Sequence, residues 1–240
     1  MKSRIITGFV MALWATASLA NAETLLDRKD VPGDFSGNLA FTTEYFFRGI
    51  SQADDGVPSV QGGLDYTHPS GVYVGIWGSN VKFTDASVEL DYFGGIKGEV
   101  GKLGWDVGAL YYHYPGADGS LNYDFFEVYG GLGYDFGLAA ANFQVNYSPD
   151  YFGSSGDAYY FNLGIDAPIG KYLTLNLHTG YQTIDDNAVF GSPDYIDFLV
   201  GLTADVLGFD LQLAYIGTDM SDTECPDACD QVVFTLSTGF

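Results

Sequence analysis

The chain has 240 residues, with 31 Asp and Glu against nine Lys and Arg, a formal net charge of −22. That acidity excludes nucleic acid as a partner, because the phosphates and the protein would repel each other. Eighteen Tyr and 18 Phe exclude a disordered acidic chain, so the aromatic content has to be placed on a folded surface or in a core.

In chain order, the first segment is an export signal. Lys2 and Arg4 precede a mostly apolar run from Ile5 to Leu19, and Ala20-Asn21-Ala22 is a small-x-small cleavage site. The run is too short for a comfortable membrane-spanning helix, which sets the alternative of an uncleaved anchor aside. The expected division is residues 1–22 as a cleaved signal peptide, 23–33 as a periplasmic leader and 34–240 as one folded domain.

From there onward the apolar residues alternate with polar ones at period two, the signature of strands with two different faces. Leu39, Phe41, Tyr45 and Phe47 interleave with Asn38, Thr42 and Glu44, and Val60, Leu64 and Tyr66 with Gln61 and Asp65. The series continues at 72–76, 88–92, 105–111, 126–136 and 143–147, then at 159–165, 173–181, 196–206, 209–215 and 232–240. Twelve strands are expected.

Their connections alternate in length. Short turns such as His68-Pro69-Ser70-Gly71, Gly101-Lys102-Leu103-Gly104 and Leu207-Gly208 separate longer polar stretches at 49–58, 79–86, 115–122, 148–157, 184–194 and 217–230. An even strand number with short turns at one end and long loops at the other is the plan of a bacterial outer-membrane barrel. Such a sheet must close, because lipid offers no partner to an unpaired strand edge. The fold class expected is therefore all-β, a closed antiparallel transmembrane β-barrel of about 12 strands. A soluble barrel or sandwich would also alternate. Against it stand the aromatic residues near strand ends (Tyr45, Phe47, Tyr66, Tyr111, Phe136, Tyr147, Tyr181 and Tyr215), which suit the two interfacial girdles of a membrane barrel. The chain ends on Phe240 after an alternating apolar series, which resembles the terminal signal read by the barrel-assembly machinery.

The run Asn38 to Gln52, "NLAFTTEYFFRGISQ", resembles the opening strand of the TorF porin family, whose most recognisable stretch is Tyr-x-Phe-Arg-Gly-x-Ser-Gln. The resemblance implies an outer-membrane barrel and suggests a pore. It implies neither a substrate nor catalytic residues.

If Leu39, Phe41, Tyr45 and Phe47 face lipid, then Glu44, Phe46 and Arg48 face inward. By the same parity the pore-lining residues are Glu44, Arg48, Asp65, Glu89, Asp91, Asp106, Glu127, Asp166 and Asp197, with Asp135, Asp205, Asp210 and Lys97 on the same face. Arg48 is expected to reach Asp65 or Gln61 on the next strand, or Glu127 from across the lumen. It serves either as a structural ion pair at the barrel mouth or as a selectivity element. A carboxylate excess attracts cations. Twelve strands lie between the filled eight-stranded barrel and the open sixteen-stranded porin, and Tyr73, Trp77, Phe93, Tyr112, Tyr129 and Tyr160 narrow the passage further.

The long loops hold 14 of the acids, with Lys82 as their basic partner, a set that could bind divalent cations weakly and share them with lipopolysaccharide headgroups. Cys225 and Cys229, in Cys-Pro-Asp-Ala-Cys, are expected to form a disulfide in an oxidising compartment. No cofactor and no enzyme activity are expected: His68, His113 and His178 are scattered, and neither Gly-x-Ser-x-Gly nor His-Glu-x-x-His occurs. The reading is a narrow, cation-preferring channel for small cationic or neutral solutes, in contact with outer-membrane lipids. A non-conducting barrel binding through its acidic loops is the first alternative, and a lipid-modifying barrel the second.

Overall fold

The computed structural model describes residues 31–53, 56–83, 85–221, 223–225 and 229–240. The expected signal peptide and most of the leader lie outside the described residues, as do Asp54, Asp55, Asp222 and Asp227 of the loop acids.

Fourteen strands form among these residues. Two short ones are β2 (Phe46–Phe47) and β3 (Ile50–Ser51). The other twelve are β1 (Asp34–Thr42), β4 (Ser59–Thr67), β5 (Val72–Phe83), β6 (Ala86–Val100), β7 (Leu103–His113), β8 (Phe125–Asp135), β9 (Ala140–Ser148), β10 (Ala158–Ile169), β11 (Leu173–Ile184), β12 (Tyr195–Val206), β13 (Phe209–Thr218) and β14 (Gln231–Gly239). Each of these pairs antiparallel with its neighbours, and β14 returns to β1 to close the barrel. The strand number is the expected twelve. Even the nine-residue strands are long enough to cross a bilayer when tilted.

Period-two alternation decides which side chains meet which medium. Leu39, Phe41, Val60, Leu64, Val74, Tyr92, Val107, Val128, Leu163, Val200 and Leu213 are all exposed on the outer wall. Gln61, Ser79, Glu89, Asp91, Asp106, Glu127, Asn146, Gln182 and Asp197 are buried inside it. This is inverted relative to a soluble barrel and suits a lipid exterior, where an apolar outer face costs nothing. No helix among the described residues is long and apolar enough to cross a membrane. The helical pieces are single turns in the long loops, such as α1 (Asn187–Phe190).

The closing seam runs from Thr42 opposite Thr235 to Asn38 opposite Gly239 and extends to the last residue. The N–H and C=O of Phe240 pair with Gly37 at 2.9 and 2.8 Å, and its ring lies over that glycine. A Cβ at Gly37 would come within 2.7 Å of the ring, so only glycine admits this approach.

Two connections differ from the sequence expectation. Strands β5 and β6 extend to Phe83 and Ala86, so 79–86 is a strand hairpin and not a long loop. The segment after Thr42 does not continue up the wall as the end of the first strand. The Thr43 N–H is held by the Phe234 carbonyl at 2.9 Å, and the chain then turns into the barrel.

Candidate functional site

The inward segment is built around Arg48-Gly49. Phe46 pairs with Ser51 and Phe47 with Ile50, leaving a two-residue turn whose central residues have φ of 48° and 78°. Positive φ at both centres defines a type I′ hairpin, for which Asn-Gly or Asp-Gly is the usual choice. Arginine at the first centre is unusual and costs on the order of 1 kcal/mol, which its interactions must offset. Gly49 is required at the second, because a Cβ there would lie 2.7 Å from both the Asp197 Cβ and the Thr218 Cγ2. The tip is thus pressed against β12 and β13. The return arm reaches β5, where the Lys82 N–H donates to the Gln52 carbonyl at 2.8 Å. The hairpin therefore crosses the lumen from one wall to another.

This corrects the expectation for two aromatic residues. Tyr45 does not face lipid: it is buried, donates its hydroxyl to Glu89 at 2.8 Å and packs edge-on to Trp77. Phe47 lies inside as well, against the Tyr112 ring. The alternation that made both look lipid-facing runs past the end of β1, where it no longer describes a wall strand.

Arg48 explains the turn. Its Nη2 donates to both carboxylate oxygens of Glu127 at 2.7 and 2.8 Å, its Nη1 donates to the Gln182 Oε1 at 2.8 Å, and the guanidinium stacks 4.2 Å from the Tyr160 ring centroid. Of the three partners anticipated for it, the structure selects Glu127 from across the lumen. Glu127 also accepts from Asn146 at 2.8 Å. Planar, fork-shaped donors fit a carboxylate and an aromatic face simultaneously, which a lysine cannot do.

The remaining predicted residues divide by depth. In the outer half, Glu44 lies just past β1 and accepts from Ser51, and Glu89 accepts from Tyr45 and Tyr114 at 2.8 Å each. Asp197 accepts from Tyr160 and contacts the His178 Nε2 at 2.7 Å. Asp91 is buried beside them. In the half nearer the short turns, Asp106 accepts from Tyr73 at 2.6 Å and Asp166 from Asn176 at 2.7 Å. Tyr73 also contacts the Tyr129 hydroxyl and lies beneath the Lys97 ammonium, 4.9 Å from the ring centroid. Asp65 is half-buried on the same interior face. Asp135 and Asp205 share the inward parity but sit exposed at the short-turn rim, Asp135 accepting from the Gly137 N–H.

Beneath the hairpin lies a cavity of about 180 Å³, lined among others by Glu44, Arg48, Gln61, Trp77, Gln144, Asn162 and Gln212. Gln182, Asn146 and His178 belong to the site and were not among the expected pore-lining residues, although their inward parity on β9 and β11 was available to find them. Tyr114 and Tyr151 were also missed: Tyr114 continues the inward parity of β7 one residue past its end, whereas Tyr151 lies between β9 and β10, where parity gives no signal. In the last long loop Cys225 and Cys229 are bonded, with their Cα atoms 5.9 Å apart. Among the described residues no group of three His, Cys, Asp or Glu is placed to hold a metal.

A family model described as "Bacterial protein of unknown function (Gcw_chp)" matches residues 27–240. The chain belongs to that family. The match does not carry the TorF name that the opening strand suggested. No curated protein matches the sequence. Among solved structures, the KdgM porin superposes with a TM-score of 0.58 at 7% identity, covering 85% of this chain and 98% of that one. The NanC porin gives 0.56 at 8% identity, with coverage of 85% and 98%. A KdgM porin complex with disordered oligogalacturonate gives 0.54 at 7% identity, covering 86% and 97%. At such identities the likeness establishes the barrel fold, and the structural neighbours are porins.

Proposed function

We propose that this protein is an outer-membrane porin of TorF type, exported by its signal peptide, that passes small cationic or neutral solutes through a lumen constricted by the 45–52 hairpin. The observation that carries the reading is the interior itself. A barrel needed only as a wall or as an enzyme scaffold can pack its centre with apolar side chains. Here the buried interior face carries Gln61, Ser79, Glu89, Asp91, Asp106, Glu127, Asn146, Gln182 and Asp197 beside an aromatic cluster that includes Tyr45, Trp77, Tyr112 and Phe125, with a cavity beneath the one hairpin that crosses it. Carboxylates on that lining outnumber the cations that face them, Arg48 and Lys97, which favours cation entry. The paired carboxylates Glu89, Asp106, Glu127 and Asp197 stabilise the lining, and Glu44, Asp65, Asp91 and Asp166 complete the path. Weak divalent-cation binding at the loop acids, shared with lipopolysaccharide, fits the same charge.

The seated hairpin supports a second reading, a non-conducting barrel that acts through its acidic loops, because the outer lumen is filled by Tyr45, Phe47 and Arg48. Osmotic swelling of proteoliposomes separates the two. The porin reading predicts swelling in small neutral and cationic solutes, slower in anions of equal size. Swelling indistinguishable from protein-free liposomes in all of them would support the second reading.

A further inference from the structure

Among the described residues, neither carboxylate oxygen of Asp91 has a hydrogen-bond partner, and the residue is 1% exposed. Its neighbours are fully engaged. Glu89 takes the hydroxyls of Tyr45 and Tyr114, Asp197 has Tyr160 and His178, and Glu127 has Arg48 and Asn146. A buried carboxylate without a donor is among the least favourable groups a folded protein can hold, since nothing replaces the water it gave up.

The surroundings supply no counter-charge. Glu89 on its own strand and Glu127 on β8 lie within electrostatic reach, as do the phenols of Tyr45, Tyr112 and Tyr114. In the sheet register Asp91 stands opposite Trp77 on β5 and Tyr112 on β7. The hairpin's cation, Arg48, has both faces of its fork committed to Glu127 and Gln182. A metal ion would need room and further ligands, and no cluster of three such groups exists among the described residues. A proton needs neither.

We propose that Asp91 is a proton-binding site that couples acidity to the position of the hairpin. With the hairpin seated the side chain is a neutral carboxylic acid. Loss of the proton to water leaves a third carboxylate facing one guanidinium, and hydrating it requires the space that Tyr45 and Phe47 occupy. The hairpin then leaves the lumen, so the closed form prevails in acid and the open form in alkali. The proton site stands on the geometry alone, and its effect on current rests on the porin reading above. One coupled proton changes the unseated-to-seated ratio by up to about tenfold per pH unit.

Two readouts on the full mature barrel in lipid nanodiscs test the site without relying on conduction. Infrared difference spectra between neutral and alkaline pH should show the carbonyl stretch of one protonated carboxylic acid disappearing, and D91N should lack that band. In a W105F background, acrylamide quenching of Trp77, which packs on Tyr45, should rise with pH in the parent and stay flat in D91N. Asparagine closely matches the neutral acid in shape, so the variant should fold. Should it not, the absence of a protonated-carboxyl band in the parent at neutral pH would by itself overturn the proposal. D91N quenching that tracks pH as the parent does would overturn it too. PH-dependent quenching, abolished by D91N but without current at any pH, would uphold the proton site and discard the porin reading.

Discussion

At the scale of single residues, Arg48 has the largest consequences. It sits at a backbone position that arginine rarely adopts, and its pairing with Glu127 and Gln182 offsets that strain. R48A leaves Glu127 buried without its counter-charge, a loss of about 3–5 kcal/mol for an interior pair. We expect this to appear as an unseated hairpin, with Trp77 more accessible to acrylamide and larger current steps. R48K should recover only part of the effect, because a single ammonium cannot hold Glu127, reach Gln182 and stack on Tyr160 together. A second residue tests the loops. Burial pushes the Asp124 carboxyl up, but the Tyr114 N–H, His113 and Tyr111 together outweigh this and hold it below the usual aspartate value. A carboxyl depressed in the fold stabilises the loop above its unfolded value and loses that contribution as pH falls through the folded one. The amide resonance of Tyr114 should therefore move with a midpoint below about 3.9, and D124N should abolish the transition.

At the scale of elements, the wall strands were readable and the hairpin was not. The period-two pattern gave the twelve strands and the inward set from Glu89 to Asp197, because a barrel wall has two media and each residue must choose one. The same pattern misled at Tyr45 and Phe47. Alternation continued there with no mark of the strand's end, and the decisive evidence lay in an interaction with β8, 79 residues away. The local clue was Arg48-Gly49 between Phe46-Phe47 and Ile50-Ser51, a two-residue turn with glycine in the second place. Replacing residues 45–52 with a short Gly-Ser link should preserve the barrel, since none of these residues belongs to a wall strand and, among the described residues, their backbone tie to the wall is the single bond from Lys82 to Gln52. Heat-modifiable gel migration should be retained and conductance should rise. A barrel that no longer assembles would show that the hairpin is part of the folding core.

At the scale of the whole molecule, closure and charge follow from the composition with which the chain presents itself. Aliphatic and aromatic residues cover the outside, while Glu89, Asp91, Asp106, Glu127 and Asp197 are buried inside among tyrosines such as Tyr112 and Tyr160. The final pairing of Phe240 with Gly37 joins the two ends of the sheet, so deleting Phe240 should reduce the heat-modifiable, membrane-inserted fraction several-fold while leaving export intact. How solutes are sorted was less legible, because selectivity depends on which carboxylates stay unpaired in the open lumen, and pairing is set by side chains from distant strands. Ionic current across a planar bilayer under a salt gradient tests the central claim most directly. The account predicts discrete steps from the purified protein, larger when the hairpin is removed, and a reversal potential displaced toward that of the cation. A hairpin-free barrel that inserts but passes no current, or one whose reversal potential lies toward the anion, would contradict it.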